Sequence, residues 1–98
     1  MFINIIKSYR NVVALADKEL IGKKFFEGKF QLDVKENFYK GENKSVEEIS
    51  QILKNMKLED ATFNIVGNKS VELAIENEII SKEDVGEIDG VEFALVLI

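Results

Sequence analysis

The chain has 98 residues, of which 46% are hydrophobic and 32% charged, and it carries a net charge of −5. These values are typical of one folded domain, and we treat residues 1–98 as a single globular unit. Cysteine and histidine are absent, which excludes disulfides, thiolate nucleophiles, imidazole bases and zinc sites built on these side chains. An enzyme is therefore disfavoured without being excluded, and we predict no catalytic residue, metal site or cofactor.

The N-terminal segment begins with apolar residues and has its first charge at Lys7. A secretory signal has the reverse order, with basic residues before the apolar stretch. Elsewhere no apolar run approaches the roughly 18 residues of a membrane span. We therefore expect a cytoplasmic protein without membrane contacts.

The beginning of the chain predicts a hairpin followed by a tight turn. Two short apolar runs, at residues 2–6 and 12–16, are separated by a turn-like link, which favours an antiparallel pair of strands. Asp17 is placed to cap one helical turn behind the second strand, and Gly22 is placed to end that turn.

The next segment predicts a third strand. Phe30, Leu32 and Val34 alternate with polar residues, which is the period of two that places one side of a strand in the core. We expect these side chains to be buried. Residues 35–44 contain several turn-forming residues and predict a loop.

The middle of the chain predicts two amphipathic helices with a strand between them. Ser45 and Glu48 have the spacing of a capping box, and apolar residues recur at helical spacing behind them as far as Met56. Residues 61–66 form an apolar run that predicts a strand, and residues 68–78 have the pattern of the second helix.

The C-terminal part predicts a second hairpin. Residues 81–84 indicate a local turn, and Asp89 with Gly90 indicates a tight turn between strands at 85–88 and 91–98. The last strand is almost entirely apolar, which predicts a central position in the sheet. Because such a strand is hazardous at an exposed edge, a homodimer formed through this hairpin is one expectation.

Together these elements predict an α+β domain of two layers, in which two amphipathic helices cover a mixed sheet of about five or six strands. A compact α/β variant remains open. Short links in two strand–helix–strand units favour parallel crossovers, the first of them from the strand at residues 30–34.

One candidate site is the junction of the strand at 61–66 with the helix behind it. If Asn68 is the N-cap, the first free N–H groups of the helix point outwards, where they could hold a phosphate or a carboxylate. The anion-binding candidates are Gly67, Asn68, Lys69 and Ser70. The alternative is an ordinary turn in which glycine permits the bend and asparagine caps the helix.

A second candidate site is the lysine-rich and aromatic segment at residues 23–40, whose five lysines oppose three acidic residues. Aromatic rings beside cations are typical of surfaces that bind single-stranded nucleic acid. The candidates for binding such a partner are Lys23, Lys24, Phe25, Phe26, Lys29 and Tyr39. The alternative is that the aromatic rings fill the core and the lysines are merely solvated. In an extended segment only one ring of the adjacent pair Phe25 and Phe26 can face the core.

Several motifs resemble those of archaeal domain-of-unknown-function family number 424, in the same order along nearly the whole chain. They include Gly22, the turn at Glu27 and Gly28, the FYKGE segment at residues 38–42 and the NIVG segment at residues 64–67. The resemblance implies an archaeal cytoplasmic protein of about this length. It implies no activity and no catalytic residue.

These observations favour a non-enzymatic interaction module that binds a protein, RNA or a ribonucleoprotein through the 23–40 segment and the turn at Gly67. The alternative hypothesis is a protein or small enzyme that holds a phosphorylated ligand at the helix start behind Gly67.

Overall fold

The computed structural model describes residues 1–97, which contain eight strands, three α-helices and two 3-10 turns. The strands, numbered β1 to β8 in chain order, span Phe2–Ile6, Val12–Ala16, Lys24–Glu27, Phe30–Asp33, Glu42–Asn43, Thr62–Val66, Gly86–Ile88 and Val91–Val96. The helices α1, α2 and α3 span Glu36–Tyr39, Val46–Leu58 and Asn68–Glu76, and the 3-10 turns span Lys18–Leu20 and Lys82–Asp84.

Six strands form one mixed sheet in the order β5-β1-β2-β6-β8-β7, while β3 and β4 form a separate hairpin. The central strands β2 and β6 run parallel, with Val12 beside Thr62 and Ala16 beside Val66. All other neighbouring strands within residues 1–97 are antiparallel. The predicted α+β class and mixed sheet are thus confirmed, but the parallel crossover onto β6 starts from β2 rather than from the strand at 30–34.

The two longer helices, α2 and α3, pack on one side of the sheet. At the start of α2 the Ser45 hydroxyl accepts the N–H of Glu48, and the Glu48 carboxylate accepts the N–H of Ser45, so the predicted capping box is confirmed. Apolar side chains on this side of the sheet meet the buried faces of both helices and form the main core. That core contains Ile3, Val13, Leu15, Ile49, Leu53, Ala61, Phe63, Ile65, Val71, Leu73, Ala74, Ile80 and Ala94.

The β3–β4 hairpin and α1 cover part of the opposite side of the sheet. Phe25 and Leu32 are paired across the hairpin, so their side chains lie on the same side of it and point to the sheet. They pack against a smaller buried cluster that contains Ala14, Ala16, Val34, Tyr39 and Val66. Residues 35–44 were predicted as a loop, but they contain the short helix α1 and the two-residue strand β5.

Phe30 departs from the predicted alternation. Leu32 is half-buried and Val34 is fully buried, but the Phe30 side chain is 69% exposed. Phe30 lies beside the Gly28 turn at the tip of the hairpin, where the hairpin reaches the three-residue strand β7. So short a strand offers too little apolar surface to cover a phenyl ring, and the prediction of a core residue is wrong there.

The C-terminal strand β8 lies between β6 and β7, but two leucines beyond its centre are exposed, contrary to the prediction of a strand buried along its whole length. Leu95 is 52% exposed and Leu97 is 75% exposed. Side chains alternate between the two faces of the sheet, so Ala94 and Val96 face the main core, whereas Leu95 and Leu97 lie on the same face as Val91 and Phe93, beyond the smaller cluster against which those two residues pack. Ile98 lies outside the described residues. No helix within residues 1–97 has the length and apolar character of a membrane span.

Candidate functional site

The N-terminus of α3 is closed by a carboxylate from another part of the chain. Oδ2 of Asp17 accepts the backbone N–H of Lys69 over 3.1 Å, and Oδ1 accepts the N–H of Ser70 over 2.8 Å. The Ser70 hydroxyl also donates to Oδ1 over 2.6 Å. Asp17 is 4% exposed and Ser70 is fully buried. The charge of this buried carboxylate is therefore stabilised by three hydrogen bonds and by the positive end of the helix dipole.

The parallel pairing of the central strands explains how Asp17 reaches this helix. Asp17 directly follows β2 and Gly67 directly follows β6, and parallel neighbours end at the same edge of a sheet. The N–H of Asp17 donates to the carbonyl of Val66, which continues the ladder by one more residue. The two chain ends therefore meet at the start of α3.

Gly67 provides the room for the Asp17 carboxylate. Its φ of +108° lies in the region that favours glycine, and a Cβ atom at this position would collide with the side chain of Asp17. Any other residue would thus meet both a strained backbone and an occupied space. Glycine is needed at position 67 because the absence of a side chain leaves room for the Asp17 carboxylate.

Two sequence predictions are corrected at this site. Asn68 is the first residue of α3 and not its N-cap, and its side-chain oxygen accepts the N–H of Glu92 over 3.1 Å instead. Asp17 precedes a 3-10 turn as predicted, but its side chain makes no capping hydrogen bond there because the carboxylate turns to α3.

The backbone N–H groups that were predicted to bind an anion lie together at the start of α3, but they already donate hydrogen bonds within the chain. The N–H groups of Lys69 and Ser70 both donate to Asp17, so an external phosphate would have to displace a buried carboxylate. The Lys69 side chain is exposed at the surface. Nothing in the sequence pairs Asp17 with residues 67–70, because the contact spans 53 positions and follows from strand order alone.

The β3–β4 hairpin exposes several of the predicted partner-binding residues. Phe26 points away from the sheet, opposite Gln31, and is 61% exposed. Lys23, Lys24 and Lys29 are also exposed. The structure therefore places one aromatic ring and three lysines of the candidate set on the surface of one hairpin.

Two predicted partner-binding residues are turned inwards. Phe25 packs half-buried against the sheet, and Tyr39 is buried in the smaller core cluster. Burial, together with the nearby charge of Asp33, raises the pKa of the Tyr39 hydroxyl above its usual value of 10.0. The Tyr39 ring also packs edge-on against Phe38, with ring centres 4.9 Å apart. Tyr39 is accordingly a core residue and offers no stacking surface.

A side-chain hydrogen bond attaches the tip of the hairpin to the sheet. Oε1 of Glu27 accepts the N–H of Asp89 over 2.8 Å, which joins the hairpin to the turn between β7 and β8. This contact uses the acidic side chain of β3 and leaves the neighbouring lysines exposed. In the part of the chain that the structure describes, no group of three acidic residues converges as a metal site requires.

The fold and these sites define a small α+β domain. The start of its helix α3 is closed by the Asp17 carboxylate, and its β3–β4 hairpin exposes basic and aromatic side chains. The chain belongs to the family described as "Protein of unknown function (DUF424)", whose model matches residues 6–98. The resemblance seen in the sequence motifs is thereby confirmed.

A solved structure has the same fold. It is described as the crystal structure of an uncharacterized conserved protein from Methanopyrus kandleri, with a TM-score of 0.85 and 20% sequence identity. The similarity covers 97% of this chain and 88% of that chain, and at this level of identity it speaks for the fold alone. None of the curated proteins is similar enough to this chain to count as a match.

Proposed function

We propose that this chain is a non-enzymatic interaction module that binds single-stranded RNA, alone or within a ribonucleoprotein, through the β3–β4 hairpin. The observation that carries the proposal is the exposed ring of Phe26 on a hairpin whose lysines Lys23, Lys24 and Lys29 are also exposed. A base can stack on such a ring while the lysines contact the phosphates on either side of it.

The exposure of two phenyl rings on one hairpin supports a binding role. Phe26 is exposed on the outer side of the hairpin and Phe30 at its tip. A phenyl ring gains free energy when it is buried, and this domain has a core that takes in Phe25, Phe38 and Phe63. Phe30 pairs with Glu27 and so lies on the opposite side of the hairpin from Phe26, which leaves Phe26 as the ring that a partner on the outer side would cover.

The lysines of the hairpin are available for phosphate contacts. Ion pairs within residues 1–97 are formed by Lys44, with Glu42 at 2.9 Å and with Glu48 at 4.0 Å. None involves the three hairpin lysines. Because the chain carries a net charge of −5, its attraction for a polyanion must be local and confined to this surface.

The same composition favours RNA over a protein partner. Lysine is depleted in the buried centres of protein–protein interfaces, where aromatic residues dominate. On nucleic-acid surfaces, by contrast, lysine and aromatic residues occur together because each contacts a different part of the nucleotide. Three exposed lysines on the same hairpin as the exposed ring of Phe26 therefore match the nucleic-acid pattern better.

Binding can be measured by the fluorescence anisotropy of a labelled single-stranded oligouridylate at increasing salt. If the three lysines contact phosphates, the logarithm of the association constant falls with the logarithm of salt concentration with a slope of about −2. The combined change Lys23→Glu, Lys24→Glu and Lys29→Glu should abolish binding. Phe26→Ala should weaken it by about tenfold or more through the lost stacking contact.

A matched control changes the same total charge elsewhere. Lys7, Lys54 and Lys82 are exposed outside the hairpin, and their replacement by glutamate should weaken binding far less than the hairpin triple change. Absence of binding at low salt would overturn the proposal, as would equal losses in the two triple variants.

A further inference from the structure

The β8 strand has an open edge along its second half. On the side of β7, pairing covers Val91 to Phe93, which lie beside Ile88 to Gly86. On the other side, β6 pairs with β8 from Phe93 to Val96. Within residues 1–97, Leu95 therefore has a strand partner on one side only.

The direction of the backbone groups follows from the ladder between β6 and β8. The N–H of Gly67 donates to the carbonyl of Glu92, so the backbone groups of Glu92 point to β6. In an antiparallel pair this direction alternates along the strand. The N–H and C=O groups of Leu95 and Leu97 consequently point away from β6, to the side where no strand of residues 1–97 pairs with them.

This edge lacks the protection that the other edges of the same sheet have. Strand β5 has two residues, Glu42 and Asn43, and is followed by Lys44. Strand β7 has three residues with an exposed Glu87 at its centre. Short length and charge are the usual means by which proteins prevent edge pairing. The residues at 94–97 are Ala-Leu-Val-Leu and carry no charge.

We propose that the open edge of β8 pairs with the same edge of a second copy of this chain, in antiparallel orientation. A register centred on Val96 places Leu95 opposite Leu97 of the second copy, and it places Leu97 opposite Leu95 of the second copy. Each of these pairs has its backbone groups directed to the partner strand, so both can form ladder hydrogen bonds. Strand β7 stays in place because Phe93 lies outside this register.

The chemistry of the edge favours a second copy over a different protein. A two-fold interface brings a surface against itself, so a charge close to the two-fold axis lies beside the same charge of the other copy. The 94–97 segment contains none and is self-complementary. The exposed leucines of both copies would form two adjacent cross-strand pairs on one face of the joined sheet, which reduces the exposure of the Leu95 and Leu97 side chains to water. The proposal involves none of the hairpin lysines and is independent of the RNA proposal.

The test is sedimentation equilibrium of the purified chain over a wide concentration range. The unchanged protein is expected to sediment as a dimer. Leu95→Lys and Leu97→Lys are each expected to sediment as monomers, because every new charge would lie opposite a leucine of the other copy and diagonally across from the same new charge in that copy. The matched control is Leu58→Lys, since Leu58 is 85% exposed at the end of α2 and is not part of β8. It should leave the dimer intact.

Hydrogen exchange of individual amides separates strand pairing from other association. In the dimer the N–H groups of Leu95 and Leu97 should be protected, and in Leu97→Lys the Leu95 N–H should exchange faster at an unchanged melting temperature. A monomer at the highest concentrations would overturn the proposal. So would a dimer that survives both lysine changes, or one in which the Leu95 amide exchanges freely.

Discussion

The hydroxyl of Ser70 donates to Oδ1 of Asp17 over 2.6 Å, although 53 positions separate the two residues in the sequence. Both side chains are buried, and within residues 1–97 no buried side-chain polar atom lacks a hydrogen-bond partner. The pair therefore connects the end of β2 with the start of α3 in an environment where a lost partner is costly.

Replacement of Asp17 by alanine should lower the free energy of unfolding by about 2 to 4 kcal/mol, because it removes a helix cap and leaves the N–H groups of Lys69 and Ser70 unpaired. Denaturant unfolding measures the change. Asp17→Asn keeps one acceptor oxygen and should cost less than Asp17→Ala. Equal stability of the alanine variant and the unchanged protein would contradict the capping role.

The same variant tests whether this helix start can hold an external anion. With the carboxylate removed, phosphate has access to the freed N–H groups and should raise the melting temperature of Asp17→Ala. The unchanged protein, in which Asp17 already occupies the position, should show little phosphate effect. A large shift in the unchanged protein would instead support a ligand site behind Gly67.

Gly67→Ala should lower the free energy of unfolding by about 2 to 4 kcal/mol, because the alanine meets both a strained φ and the Asp17 side chain. Gly90→Ala is the matched control, since Gly90 also has a positive φ of +79° but open space around it. It should cost about 1 kcal/mol.

A double-mutant cycle separates the two causes at Gly67. In Asp17→Ala the colliding side chain is gone, so adding Gly67→Ala should cost less than it does in the unchanged protein, by about 1 kcal/mol or more. Simple additivity of the two changes would mean that backbone strain alone acts at this position.

Tyr39 should lose its proton later than an ordinary tyrosine, because burial and Asp33 raise the pKa of its hydroxyl. The chain has two tyrosines, so Tyr9→Phe leaves Tyr39 as the single phenol in an ultraviolet titration of tyrosinate. The folded state holds this proton more tightly than the unfolded state does. The contribution of the neutral phenol to stability is therefore complete below the unfolded pKa of about 10 and is lost as pH rises through the higher folded value.

Tyr39→Phe provides the comparison for that pH dependence. Without an ionisable group at position 39, the stability of this variant should fall less steeply as pH rises above about 10. If the two proteins lose stability in parallel over this range, the buried hydroxyl does not contribute in the way described.

Local signals in the sequence predicted local structure well. The Ser45 and Glu48 capping box, the Asp89–Gly90 turn and the pairing of the first two strands depend on neighbouring residues, and all three are present. The position of the 23–40 segment was not predictable in this way. Its strands have the same alternation as sheet strands, yet they form a separate hairpin whose tip leaves Phe30 exposed.

The candidate site shows the same division between local and distant information. The strand–glycine–helix pattern identified Gly67 and the free donors behind it, because each belongs to one continuous segment. The acceptor Asp17 was assigned to the wrong helix start, because its true partners are set by the parallel pairing of β2 with β6. No short-range rule links an acidic residue to a helix that begins some fifty positions later.

That parallel pair also has a consequence for the order of folding. Hairpin β1–β2 and the self-capped α2 involve residues close in sequence and can form early. Pairing of β2 with β6 must first close a loop of roughly fifty residues, at an entropic cost of about 3 to 4 kcal/mol. Helix α3, with nine residues, is too short to persist alone and receives its cap from Asp17 only after this closure. Because the cap forms only after closure, changes at Asp17 are expected mainly to speed unfolding and to leave the rate of folding nearly unchanged.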